Sequence, residues 1–125
     1  MEKIFTDKAP KAIGPYSQAI KLGDLVYTSG QIPINPESGE IEAKDIEGQT
    51  EQVCKNLCAV LEASGASFAS VIKTTCFLQD MSDFAAFNGV YREYFTSSPA
   101  RSCVAVKSLP KGSLVEIEAV AKIEK

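Results

Sequence analysis

Residues 99–106, PARSCVAV, set an arginine and a thiol two positions apart at the head of an apolar run. Strand side chains alternate between faces, so Arg101 and Cys103 share one face, and Ser102, Val104 and Val106 share the other. If the valine face meets the core, the guanidinium and the thiol look out the opposite way. Other polar residues stand out in the same manner. Glu116 lies among apolar residues in VEIEA, Ser29-Gly30-Gln31 follows YT, and Tyr16 sits in GPYSQA. Each also has a plain reading: Arg101 as a surface strand residue, Glu116 as a cross-strand charge partner, Tyr16 as an amphipathic packing residue.

The chain has no histidine, which removes Ser-His-Asp and Cys-His catalysis. No P-loop and no GxGxxG occurs. Of the 4 cysteines, the closest pair is Cys54 and Cys58. Four residues apart on a helix they share a side, but no second pair completes a tetrahedral metal site, so no metal is expected and burial is their expected role. A net charge of -3 speaks against sequence-independent nucleic-acid binding. The first residues carry no apolar stretch of signal type, and no run reaches membrane-spanning length. The expected setting is the cytoplasm, away from membranes, with reduced thiols.

The elements that must position these residues are legible in outline, and 125 residues suit a single domain, 1–125. IKLGDLVYTSG reads as a hairpin turning at Gly23-Asp24. The Pro- and Gly-rich stretch 30–41 reads as a loop. Residues 45–64 read as a helix capped by Asp45 and stopped by Gly65, with Ile46, Val53, Leu57, Val60 and Leu61 in one stripe. VIKTTCFL, residues 71–78, is rich in β-branched residues and reads as a strand.

A second helix, capped by Asp80 or Ser82, runs to about residue 95, with Phe84, Phe87, Tyr91, Tyr94 and Phe95 along one side. That spacing overrules the hairpin signal of Asn88-Gly89. Gly89 then suggests a close backbone approach, and Asn88 falls inside the apolar stripe as a packing amide or a site residue. Strands over 101–107 and 114–123 close the chain as a terminal pair, the last burying Val115, Ile117, Ala119, Ala121 and Ile123. The expected class is α+β, with a mixed sheet and two helices on one face. The other face, where it is apolar, invites a second subunit.

AIGPYSQA, YTSGQIP, FNGVYREYF, PARSCVAV and VEIEA occur in this order along nearly the whole chain, and together they resemble the RidA (YjgF) family. The resemblance implies a chorismate-mutase-like fold assembled as a homotrimer with intersubunit clefts. It implies a cofactor-independent deaminase that hydrolyses reactive 2-imino and 2-enamino acids, such as 2-iminobutanoate and 2-iminopropanoate, to 2-oxo acids and ammonia. By matching position, Arg101 would bind the substrate carboxylate and Glu116 would place or activate water. Tyr16, Ser29, Gly30, Asn88 and Cys103 would line the cleft. A planar guanidinium suits a carboxylate, and an iminium carbon needs no strong nucleophile. Two other readings stay open: a trimer that binds a small carboxylate as a regulator, and a ribonuclease.

Overall fold

A computed structural model describes residues 1–124. Glu2–Ile4 form β1, Ala19–Leu22 β2 and Leu25–Thr28 β3. Helix α1 spans Ile46–Ser64, β4 Val71–Leu78, α2 Phe84–Tyr94, β5 Ala100–Ala105 and β6 Val115–Lys122. The helices pack on a six-stranded mixed sheet in the order β1-β2-β3-β6-β4-β5, in which only β4 and β5 run parallel.

Local chemistry accounts for the helix ends. The Asp45 carboxylate accepts the Gly48 N–H at 2.8 Å, and Gly65 closes α1 in the left-handed region at φ 85°. Every residue of the expected α1 stripe is buried. Asp80 accepts the Ser82 N–H and opens a 3-10 turn, Met81–Asp83; α2 itself starts after Asp83 with no side-chain cap, so neither Asp80 nor Ser82 caps it as expected. Phe87, Tyr91 and Phe95 are buried from α2, with the Tyr91 and Phe95 rings stacked at 4.2 Å between centroids. The hairpin turns at Gly23, φ 61°, as the Gly-Asp pair requires.

One strand lies beyond the sequence expectations, and several expectations are corrected. Strand β1 pairs with β2, and nothing in the sequence had marked it. The last two strands are not neighbours. Strand β6 lies between β3 and β4, where a strand with one wholly buried face has both edges paired, and α2 carries the chain to β5 at the sheet edge. Gly89 meets no close backbone: a Cβ built there finds nothing within 4 Å.

A further correction concerns the faces of β5. Arg101 pairs with Thr74 and Cys103 with Cys76, and both partners are buried under the helices. In-register partners point the same way, so Arg101 and Cys103 lie on the helix side, half-buried at its margin. Val104, partner of Phe77, is 48% exposed on the uncovered face. That face also carries exposed Tyr27 and Leu22. No helix among the described residues is long and apolar enough to cross a membrane.

Candidate active site

Arg101 is held on several sides at the sheet edge. Its Nη1 donates to Asn88 Oδ1 at 2.6 Å. Its guanidinium lies 4.7 Å from the Tyr91 ring centroid and 5.4 Å from that of Phe84. Tyr91 is itself anchored, because its hydroxyl and that of Thr74 share a 2.7 Å hydrogen bond in the interior. The aromatic stripe of α2 therefore does more than fill the core. Two of its rings form a shelf beneath the cation, and Asn88 bonds it from the side. The sequence reading counted Tyr91 and Phe84 as packing residues. The available signal was their helical spacing from Asn88, at i+3 and i−4.

A cleft of about 620 Å³ opens in front of this group, lined by Asn88, Tyr91, Arg92, Phe95, Ser98 and Arg101 among others. Cys103 sits one strand pair further along the same face. Burial pushes its thiol up, and nearby Arg101 offsets this only in part. Such a thiol stays protonated at neutral pH, a poor nucleophile. Cys76 beside it is pushed up to about 12, chiefly by burial. Cys54 is buried in α1 and Cys58 half-exposed.

The other expected site residues gather elsewhere. Glu116 pairs with Phe77 and points to the uncovered face, opposite to Arg101. Burial raises its carboxyl above the usual value, and the like charge of Glu118 on the same face adds to this. Gly30 packs directly beneath Glu116. A Cβ on Gly30 would fall 1.9 Å from Glu116 Oε2, so only glycine leaves room for that carboxylate.

Ser29 is spent on structure: its hydroxyl donates to the Ser17 carbonyl at 2.6 Å, and its N–H to the Gln18 carbonyl at 2.9 Å. These bonds tie the GPYSQA loop to the end of β3. Tyr16 stands 54% exposed on that loop. With Gly30 it borders a second, mostly apolar cleft of about 440 Å³ that also includes Lys11 and Lys111. Sequence reasoning missed the amides that hold these loops. Buried Gln18 bonds Thr6 and Pro10, and Asn56 on α1 donates to the carbonyls of Ile32 and Ile34.

One chain thus presents two half-sites. Arg101, Asn88 and Cys103 lie on the helix side, and Glu116, Gly30, Ser29 and Tyr16 lie around the uncovered face and its adjoining loops.

The profile described as endoribonuclease L-PSP matches residues 6–123. A RutC family protein of Pyrococcus horikoshii is 58% identical over 121 residues, covering 96% of each chain. The chloroplastic Reactive Intermediate Deaminase A of Arabidopsis thaliana is 48% identical over 98% of this chain and 66% of its own length. The crystal structure of Escherichia coli TdcF with bound serine superposes with a TM-score of 0.94 at 44% identity, covering 99% of this chain and 100% of the other. On this shared fold and near full-length identity, the chain belongs to the endoribonuclease L-PSP family, the YjgF/RidA group.

Proposed function

We propose that this protein hydrolyses small 2-imino acids, together with their 2-enamino tautomers, to 2-oxo acids and ammonia, in clefts formed between the subunits of a homotrimer. The observation that carries the reading is Arg101. Its guanidinium is held over two rings and by Asn88, yet it faces an open cleft that no carboxylate among the described residues lines. A fork fixed in this way is suited to a carboxylate, because little side-chain freedom remains to be lost on binding.

The chemistry asks little more. With the carboxylate held, C2 of the protonated imine is already electrophilic. Water bonds to C2 while the π pair of the C=N bond moves to nitrogen. Glu116 takes the proton of that water and returns it to nitrogen. Glu116 then takes the remaining hydroxyl proton as an oxygen pair closes C2=O and the C2–N bond breaks, leaving the 2-oxo acid and ammonia, which carries that proton away as ammonium. Burial and Glu118 both raise the carboxyl of Glu116, which brings it closer to the range useful for moving protons near neutral pH.

Two features favour assembly. Arg101 and Glu116 stand on opposite faces of one sheet, so one molecule alone does not bring them to the same substrate. The face that carries Glu116 also exposes Tyr27 and Val104, apolar surface that a second copy would cover. The bound serine of TdcF favours a second reading, in which the clamp holds an amino-acid-sized carboxylate without turnover.

A coupled assay separates the readings. A serine or threonine dehydratase releases 2-imino acid, and 2-oxo acid formation is followed with and without this protein. Acceleration that Glu116→Gln abolishes, with 2-oxo acid binding retained, is the expected result. No acceleration by the wild-type trimer refutes the hydrolase. Light scattering that shows a stable monomer at micromolar concentration refutes the shared cleft.

A further inference from the structure

We infer that the Arg101 cleft takes substrates with a second acidic group: 2-imino acids whose side chain ends in a carboxylate. This rests on the reading that Arg101 holds the first carboxylate, and it assigns the recognition of the second to Arg92.

The observation is a pair of guanidiniums anchored on one residue. Asn88 accepts from Arg101 Nη1 with its side-chain oxygen at 2.6 Å, and from Arg92 Nε with its backbone oxygen at 3.4 Å. Both arginines line the same cleft of about 620 Å³, beside Thr96 and Ser98. Among the described residues of one chain, no aspartate or glutamate lines it. Arg92 is exposed and its outer nitrogens remain free to bond a ligand. Two cations line this cleft, and with the Glu116 of a second copy assigned to the water, a monocarboxylate engages only one of them. A dianion engages both and gains a second charge-assisted contact.

Arg92 has a simpler role as well, since a cation in the last turn of α2 suits the helix dipole. That role would not distinguish one carboxylate from two. The spacing argues for the cleft: Arg92 follows Asn88 by one helical turn, so the residue that orients Arg101 also carries Arg92 on its side of the helix.

The test reads selectivity. The assembled protein is titrated calorimetrically with 2-oxoglutarate, 2-oxobutanoate and inorganic phosphate, as wild type, Arg92→Gln and Arg92→Lys. The expected result is that 2-oxoglutarate binds at least roughly tenfold more tightly than 2-oxobutanoate. Arg92→Gln should bring that ratio near one, and Arg92→Lys should keep part of it. In hydrolysis, the ratio of kcat/KM between the glutamate-derived and 2-aminobutanoate-derived imines should fall in parallel.

Equal affinities in the wild type overturn the inference, as does a ratio unchanged by Arg92→Gln. Phosphate binding as tightly as 2-oxoglutarate overturns it too, by revealing a general anion site. If neither imine is hydrolysed while the 2-oxoglutarate preference persists and depends on Arg92, the hydrolase reading falls and the dicarboxylate site stands.

Discussion

Replacing Arg101 with lysine keeps the charge and removes the geometry. Arg101 is held by the 2.6 Å bond to Asn88 and by rings at 4.7 and 5.4 Å from the guanidinium carbon. An ammonium can offer a carboxylate one of the two parallel bonds that a fork makes. The lost charge-assisted bond is worth ~1.5–3 kcal/mol. Without the contact on Tyr91 the side chain also regains freedom, and ordering it on binding costs about 0.5–1.5 kcal/mol. Together these predict a loss of at least about thirtyfold in kcat/KM. Arg101→Ala should lose at least as much. Both proteins should fold and assemble, because the guanidinium sits at the margin of the core and no buried acid depends on it. The assay is imine hydrolysis on proteins of verified oligomeric state. An assembled Arg101→Lys protein within about threefold of wild type would show that the fork and its shelf are not what binds substrate.

Other expectations concern the groups around that clamp. Gly30→Ala should preserve the fold but drive the Glu116 carboxylate off its seat, lowering kcat by about a hundredfold; unchanged turnover would remove Glu116 from the chemistry. The acid limb of the pH–rate profile should lie above pH 4.5, because burial and then Glu118 raise Glu116, and Glu118→Gln should move that limb to lower pH. The same shift means folding favours the protonated acid. Glu116→Gln should therefore melt higher than wild type above the folded pKa, with the difference gone below pH 4.5, as thermal scans at both ends would show. Tyr91→Phe strips Thr74 of a buried partner, costing about 1–3 kcal/mol of stability in denaturant titrations, yet keeps the shelf and with it kcat/KM; Tyr91→Leu should lower kcat/KM as well. Cys103→Ser should stay active, since a protonated thiol at that place is no nucleophile, and a dead but folded variant would reverse that assignment.

Local chemistry made much of this protein legible before any coordinates. The Asp45 cap, the Gly65 stop and the Gly23-Asp24 turn are short-range devices, and each lies where its residues placed it. The span of β4 followed from its β-branched run, and the helical spacing of the α2 aromatics correctly outweighed the turn signal at Asn88-Gly89. The family was legible for a related reason: its motifs are contiguous stretches. Where the motif residues go relative to one another was not legible. Alternation along PARSCVAV states that Arg101 and Val104 oppose each other, but not which of the two meets the helices. The parallel register with β4, set by the α2 crossover, decided that, and it placed Val104 outside. The position of β6 between β3 and β4 likewise set Glu116 on the face opposite to Arg101. Close approach across the chain was equally hidden. Gly30 is glycine because of a carboxylate more than eighty residues away, and Tyr91 on α2 is a shelf because Thr74 holds it from β4. Periodicity reports one element at a time, whereas a site is made by register and packing between elements, which no single stretch encodes.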